Sequence, residues 1–593
     1  MPVIDVSIVT YAPDLALLQR LLASLAEPAP RAILRNVFIQ DNSADETMAD
    51  RIAALPELQP NGAFAAVSIE RSGRNLGFGR GHNANARRGA APYLLVANQD
   101  CVLEPGALAG LVECAESSGG DVAAWEMRQI PYEHPKAYDP VSLEVSWVSG
   151  AATLFRRAAF DGLRGFEPRI FMYGEDVDLS WRLRANGWRL LYQPRFAVMH
   201  RTYSVPHEEK PLQLFEGVLV NLCLRARYGG PAEALRGLAT LAREAARPGA
   251  VLARRWGLMK AGLRFLLRAP YFATTRVAAQ GRFRPIFAGW DYEQHRDGAF
   301  VTFASRRDTE PGGEPLVSIL IRTCGRPAWL RQALASCLGQ TYRNLEVVVI
   351  EGGEDRSRAV VEEFSQRLRI RYHATGVASG RARNGNIALQ MAKGEWLNFL
   401  DDDDLFFADH VEVVLAAALR ANAAGAYGLA WEAHTRCLDR ENARFEEVRN
   451  HTRHAQGFDR MLLWDHNYLP IQSVIFHRRL YDRHGGFDEG MDQLEDWNLW
   501  TRYTLDDDFV MVPKTTSKYR VPADAREAAD RQAMLDRAYA AALERQSAMR
   551  GAFSPQDVLV MARRYARSRR LLARVANRLP VADRVLRRME LIE

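Results

Sequence analysis

Two kinds of acidic cluster in this chain have the spacing to do chemistry. The first is the run Asp401-Asp402-Asp403-Asp404, which follows the apolar residues Trp396, Leu397, Phe399 and Leu400. So short an apolar stretch predicts a buried strand with the carboxylates at its carboxyl end. That end of a strand is where open α/β sheets hold their ligands. Four adjacent carboxylates repel one another and call for a cation; hard oxygen ligands suit Mg2+ or Mn2+, with phosphate oxygens completing the shell. The second kind is a Glu-Asp pair after a Gly-Phe turn. It occurs as Glu175-Asp176 in GFEPRIFMYGEDVDLSWRL and as Glu495-Asp496 in GGFDEGMDQLEDWNLWTRY. Each pair stands at the predicted start of a helix, where interaction with the helix dipole contributes about 1 kcal/mol at most. Capping alone does not explain why both halves place such a pair 75–95 residues after an earlier carboxylate.

The elements that must position these residues follow one plan, used twice. VSIVTY (6–11) is a β-branched apolar run, followed by an amphipathic stretch from Asp14 to Leu25. VFIQDNS (37–43), VSIERS (67–72), the glycine-punctuated GRNLGFGRGHN (73–83) and YLLVANQD (93–100) complete the series. The same order returns as VSILIRT (317–323), EVVVIEGG (346–353), RIRYHATG (369–376), SGRARNGN (379–386) and WLNFLDDDD (396–404). Strands alternating with helical segments predict a parallel α/β sheet. An offset of 300–320 residues predicts duplication of a whole domain rather than a short solenoid repeat.

Composition bounds the function. A chain of 593 residues with 48% hydrophobic and 25% charged residues reads as a multidomain globular protein. MPVIDVSIVTY runs straight into a strand-like segment, so no secretory leader is expected, and no apolar stretch reaches transmembrane length. The six cysteines are scattered without CxxC or metal-ligand spacing, which predicts a reducing, cytoplasmic compartment. The net charge of +6 is uneven. Residues 225–285 hold thirteen basic against two acidic residues and 555–588 hold ten against two, leaving the remainder at about −13. An acidic body with two basic appendages, and no aromatic stacking platform beside the charge, is not the pattern of a nucleic-acid binder.

Taken together, residues 6–205 and 316–522 resemble inverting glycosyltransferases of family 2 with the GT-A fold. The resemblance rests on the opening strand, the glycine-rich segment, the acidic strand end and the Glu-Asp pair. NLGFGRGHN, WVSGAATLFRR and FMYGEDVDLSWRLRANGW make the first half similar to bacterial rhamnosyltransferases; DDDD and LEDWNLWTRY tie the second to the broader family. The resemblance implies two Rossmann-like GT-A domains, at 1–224 and 310–523. A basic helical linker (225–309) joins them, and a basic amphipathic helical region (524–593) follows. It implies a nucleoside-diphosphate sugar donor and one Mn2+ or Mg2+ per site. In the second half Asp401 and Asp403 form the metal motif, with Asp403 the direct ligand. Asp496 is the base, with Glu495 beside the acceptor, while Glu351 meets the nucleotide and Arg381 the pyrophosphate. In the first half the triplet is Asn98-Gln99-Asp100. Asp100 and His200 hold the metal, Asp176 is the base beside Glu175, and Asp41, Arg80 and Asn98 face the donor. The second half has no histidine after Tyr519-Arg520, so Asp404 is expected to compensate. By carboxylate count the second site should bind Mn2+ more tightly, and the first should be the weaker enzyme.

The appendages carry amphipathic patterns. Leu252, Trp256, Met259, Leu263 and Leu266 fall on one helical face, opposite Arg254, Lys260, Arg264 and Arg268. Val558, Met561, Tyr565, Leu572, Val575 and Leu579 repeat the pattern after Ser554-Pro555. Such helices lie on an anionic membrane, dock a partner protein, or pack against the catalytic domains. With these appendages, the resemblance implies a bifunctional glycosyltransferase, peripheral at the inner face of the cell membrane, extending a lipid-linked glycan of O-antigen or another surface polysaccharide. Alternatives are one active domain with an acceptor-binding or scaffold partner, or a glycan-binding protein without turnover.

Overall fold

The computed structural model describes residues 3–27, 33–59, 64–200, 210–247, 252–277, 283–304, 313–491 and 493–550, with Gly281 and a few positions between 554 and 563. The first half contributes β1 (Val3–Thr10), β2 (Leu34–Asp41), β3 (Ala66–Arg71), β4 (Tyr93–Asn98), β5 (Cys101–Leu103), β6 (Val122–Ile130), β7 (Ala152–Arg156) and β8 (Arg189–His200). They form one sheet in the order β3-β2-β1-β4-β7-β6-β8-β5. The second half contributes β9 (Val317–Thr323), β10 (Leu345–Glu351), β11 (Ile370–Ala374), β12 (Trp396–Asp401), β13 (Leu405–Phe406), β14 (Gly425–Asp439), β15 (Arg444–Thr452), β16 (Val474–His477) and β17 (Phe509–Pro522). Their order is β11-β10-β9-β12-β16-β14-β17-β13, with β15 added on β14. Strand for strand the two sheets have one topology, so the sequence duplication is a duplication of fold. Both are α/β sheets.

The central strands are apolar because both faces are covered. Every residue of β9 and β10 is buried, as are five of the six in β4. The sheets are mixed, not parallel throughout. β1, β2, β3 and β4 run parallel, but β7 pairs antiparallel with both β4 and β6, and β5 antiparallel with β8. Side-chain alternation has the same period in either direction, so the apolar pattern carries no strand sense. Register aligns the acidic residues. Val9 is paired with Asn98 and Thr10 with Asp41; in the second sheet Arg322 is paired with Asp401 and Thr323 with Glu351.

The segment between the sheets is no free linker. Helices Pro211–Leu224, Gly230–Ala245 and Leu252–Thr274, with a π-helical turn at Arg225–Gly229, pack on the first domain. Arg227 is buried and donates to Asp178 Oδ1 and Glu167 Oε2, both at 2.7 Å, fastening the segment to the helix Glu175–Ala185. Trp181 of that helix lies among Tyr228, Phe283, Phe287 and Tyr292.

The two sheets meet through a charged, water-excluded junction. Arg296 is wholly buried and donates to Glu133 Oε2 at 3.0 Å and Asp409 Oδ1 at 3.1 Å. Lys514 adds bridges to the same two carboxylates at 2.9 and 3.3 Å. Arg128 pairs with both oxygens of Glu412, at 2.9 and 3.2 Å. Apolar residues fill the surroundings: Ile130, Ala197 and Phe303 join the core of the second sheet, and Phe407 and Trp431 join a core of the first.

At the far end, the helix Ala525–Ser547 packs on the second domain, with Tyr539 stacked on Trp497 at 5.4 Å between ring centroids. The basic repeat expected beyond Ser554 lies almost wholly outside the described residues. Among those described, no helix is long and apolar enough to cross a membrane.

Candidate active sites

In the first domain β4 and the end of β8 bring Asn98, Asp100 and His200 together. Asp100 Oδ1 lies 3.5 Å from His200 Nε2, and Asn98 Nδ2 lies 3.3 Å from the same nitrogen. His200 Nδ1 faces Gln129 Oε1 at 2.7 Å, so the network assigns the ring proton to Nδ1 and leaves a lone pair on Nε2. A histidine held by an outer acceptor, beside an aspartate, fits Mn2+. Burial opposes ionisation of Asp100, but when His200 carries a proton on Nε2 as well, it and Lys210 outweigh burial and hold the carboxyl below its usual range. Cys101, next in sequence, is unsuited as a ligand: it is buried, its thiol is pushed well up by desolvation, and it donates to Ala151 O.

From this cluster a hydrogen-bonded path runs to the Glu-Asp pair. Gln129 Nε2 donates to Ser149 Oγ at 3.1 Å, and the next residue, Gly150, donates its N–H to Asp176 Oδ2 at 3.1 Å. The N–H of Val177 donates to Asp176 Oδ1 at 2.9 Å. Desolvation raises Asp176 above its ordinary value despite these donors, and with the Asp176 charge raises Glu175 well above its own. Gly174, at φ 93°, turns the chain into this helix; a Cβ there would strike Val220 and the Tyr292 hydroxyl.

The second domain builds the corresponding site with a different charge balance. Asp401 Oδ1 and Oδ2 accept from Arg322 Nε and Nη2 at 2.7 and 2.8 Å, and Arg322 Nη1 donates to Glu495 Oε1 at 3.0 Å. Burial would raise Asp401; Arg322 overrides it and holds the carboxyl below its usual range. Asp402 turns away, held by Thr323 Oγ1 at 2.6 Å and by Arg326. Asp403 stays partly exposed, with Arg326 Nη1 at 3.4 Å and its carbonyl bound by Arg520 Nη1 at 2.8 Å. Asp404 is buried and raised well above the ordinary range by desolvation and its neighbours' charges. Oxygens of Asp401, Asp403 and Asp404 lie close enough to share one cation, and an all-oxygen set suits Mg2+ or Mn2+. Extending the β13–β17 ladder by one residue puts Tyr519 where the first domain has His200. Asp496 accepts from Trp497 N–H at 2.8 Å and Asn467 Nδ2 at 3.0 Å. Desolvation and the Glu495 charge push it up to about 7. Leu494, just before it, holds φ 59°, a strained conformation for leucine and a mark of functional sites.

These residues line a cleft of about 680 Å³ together with Arg381, Arg520 and, from the C-terminal helix, Arg531. Arg381 Nε stands 3.9 Å from Glu495 Oε1. Three sequence-predicted residues are placed otherwise. Glu351 is sealed inside, accepting the N–H groups of Gly325, Arg356 and Ser357 at 3.0–3.2 Å and the Tyr372 hydroxyl; it shapes a loop instead of facing the cleft. Asp41 is likewise buried, with Thr10 at 2.9 Å and Ser43 Oγ at 2.6 Å, though its Oδ2 has no partner. Arg80 is turned onto the carbonyl of Pro168. Sequence reasoning missed Arg322, Arg326, Arg520, Gln129 and Asn467. Only Arg322 left a signal: an arginine inside the otherwise apolar VSILIRT, where the first half has Val9.

Comparison with known proteins finds similarity in both halves of the chain. Residues 318–484 match the model of Glycosyl transferase family 2, and residues 140–229 that of Glycosyltransferase like family 2. The N-acetylglucosaminyl-diphospho-decaprenol L-rhamnosyltransferase of Mycobacterium tuberculosis is 29% identical over 246 residues, covering 33% of this chain and 76% of that enzyme. The UDP-Glc:alpha-D-GlcNAc-diphosphoundecaprenol beta-1,3-glucosyltransferase WfgD of Escherichia coli is 34% identical over 114 residues, or 19% of this chain and 45% of its own length. Among solved structures, TarS residues 1–349 of S. aureus with UDP-GlcNAc has a TM-score of 0.30 at 16% identity, covering 36% of this chain and 60% of that one. The mannosyltransferase PcManGT of Pyrobaculum calidifontis, with GDP-Man and Mn2+, has a TM-score of 0.30 at 16% identity, covering 46% and 83%. The matched models fall one in each half, on two sheets of one topology, so each half of the chain carries a domain similar to glycosyltransferase family 2.

Proposed function

We propose that the chain is a bifunctional inverting glycosyltransferase that adds two sugars in turn to a lipid-linked diphosphate acceptor. The observation carrying this reading is that each half sets an aspartate of raised pKa (Asp176, Asp496), held by hydrogen-bond donors at a helix start, in one site with a separate carboxylate cluster (Asp100 with His200; Asp401 with Asp403). A base near the working pH is the efficient choice for taking a proton from a hydroxyl. As the acceptor oxygen bonds to the anomeric carbon, the bond to the diphosphate breaks, and the hydroxyl proton passes to Asp176 or Asp496. Asp100 with His200, and Asp403 with Asp401 or Asp404, would hold Mn2+ or Mg2+, which when bound neutralises charge growing on the departing diphosphate. Arg322 fixes Asp401 and Glu495 relative to each other, keeping the two halves of the second site in register. The glycan-diphospho-prenol substrates in the names of the mycobacterial and E. coli relatives support a lipid-linked acceptor, and the former supports rhamnose as the first domain's sugar.

Such an acceptor lies in a membrane, and the helix Leu252–Thr274 offers a docking face. Its inner face (Leu258, Ala261, Phe265, Phe272) packs on the protein, while Leu252, Trp256, Leu263 and Leu267 are 68, 55, 62 and 85% exposed. We read this stripe, with Lys260 beside it, as lying on the anionic cytoplasmic face of the membrane. Surface-polysaccharide assembly such as O-antigen synthesis is the setting that fits.

A second reading, one working domain, draws support from Arg322, which already occupies both oxygens of Asp401. A screen of nucleoside-diphosphate sugars for diphosphate release, on full-length Asp100→Ala and Asp403→Ala, separates the two. Two sites predict that each variant loses release from one donor and keeps it from another; loss of all release in one variant and none in the other supports a single working domain.

A further inference from the structure

The hairpin of β14 and β15 gathers a second set of metal-type ligands in which none of the catalytic carboxylates takes part. Glu432 and His434 are two residues apart on β14 and so share a face. His451 on β15 is the direct cross-strand partner of Glu432. The Nε2 atoms of His434 and His451 both turn toward Glu432 Oε1, at 3.3 and 3.6 Å. In a tetrahedral zinc site, with metal–ligand bonds of about 2.0–2.1 Å, neighbouring ligand atoms lie about 3.3–3.4 Å apart. Both histidine nitrogens therefore stand near coordination spacing from Glu432 Oε1, all three donor atoms lie within 4.8 Å of one another, and the imidazole rings stack at 5.2 Å.

The hydrogen bonding is not settled by these groups alone. His434 Nε2 also faces Arg449 Nη2 at 3.2 Å, and a guanidinium only donates, so that nitrogen presents a lone pair. With that lone pair turned to Arg449, His434 Nε2 has no proton to give Glu432 Oε1 at 3.3 Å, and the approach is balanced by the Arg449 charge, a role a metal ion could take over. His451 Nδ1 is buried with no partner. The other oxygen of Glu432 is engaged, accepting from the Tyr519 hydroxyl at 2.9 Å and from Arg453 at 3.2 Å.

We propose that Glu432, His434 and His451 bind one Zn2+, with the fourth position open to water. Two imidazoles and one carboxylate suit zinc, whereas Mg2+ demands oxygen ligands. The ion would clasp the hairpin and fix Glu432, and through it Tyr519 and Arg453, all three of which line the second cleft. Arg449 is exposed on the strand and can swing aside, but its charge opposes the ion.

The test uses full-length protein stripped with a chelator and titrated with Zn2+ alone against a chromophoric competitor, with no nucleotide present. Wild type and Asp403→Ala should each take up one zinc at this site, His434→Ala and His451→Ala should bind it at least tenfold more weakly, and Arg449→Ala should bind it more tightly. Arg449→Ala removes an exposed side chain and should keep the fold, so its direction is informative even if a histidine variant misfolds. No zinc uptake by wild type, less than tenfold loss in both folded histidine variants, loss in Asp403→Ala instead, or unchanged affinity in Arg449→Ala would each overturn the assignment.

Discussion

Arg322 changes what the four aspartates can do. Counting carboxylates predicts that the second site holds Mn2+ more tightly, yet Arg322 neutralises Asp401 and Arg326 neutralises Asp402. Desolvation further disfavours the charge on Asp404. The first site has fewer carboxylates but a histidine whose lone pair is aimed by Gln129. We therefore expect Mn2+, with nucleoside diphosphate, to bind the first site more tightly in the intact chain. Titrating Asp403→Ala, which leaves the first site, against Asp100→Ala, which leaves the second, checks this; tighter binding by Asp100→Ala would restore the carboxylate count. Asp496 carries a pH prediction. Its carboxyl is pushed up to about 7, and the neutral acid cannot accept a proton. Transfer by the second domain should fall about tenfold per pH unit below 7 and level off above it, a profile measured on the sugar it adds. A rate flat from pH 5 to 8 would remove Asp496 as the base. Both Glu-Asp pairs and both strand-end clusters were legible in the sequence because they are local. Arg322 meets Glu495 across 173 positions, and only folding brings them together.

At the scale of elements, the helix Leu252–Thr274 shows what periodicity can and cannot say. The pattern marks Leu252, Trp256, Met259, Leu263 and Leu266 as one face, and the structure leaves that face exposed. The face that packs contains Ala261, Gly262 and Phe265, small or dispersed residues that give a weak apolar signal. Nor is the segment's charge all available to a membrane: Arg225, Arg227 and Arg264 are paired with Glu233, Asp178 and Glu216. If the stripe docks on lipid, Trp256→Glu with Leu263→Glu should cut sedimentation with anionic vesicles at least tenfold while turnover on a short soluble acceptor stays near wild type. Equal sedimentation of variant and wild type would exclude this face as the docking surface. The parallel strands β1–β4 and β9–β12 were readable in the sequence, but the strands that pair antiparallel beyond them were not, nor was the β14–β15 hairpin.

The two sheets are joined by a junction that is buried and charged. Arg296, from the segment joining the two sheets, reaches Glu133 of the first domain and Asp409 of the second. Removing one partner of such a network leaves unpaired charge in the interior, at a cost of about 3–5 kcal/mol. Arg296→Met should lower the stability of both halves together, seen as one shifted transition in chemical denaturation. Two separate transitions, one unmoved, would show that the halves fold independently. A sequence read one domain at a time does not reveal this junction, because its six charges are scattered from Arg128 to Lys514. The central claim is that one chain holds two working sites, and product analysis of full-length Asp176→Asn and Asp496→Asn on a lipid-linked acceptor tests it most directly. Two sites predict that each variant loses one linkage by a factor of about 10²–10⁴ while the other domain still transfers to its own preformed acceptor. Near-wild-type formation of both linkages by either variant would contradict the account.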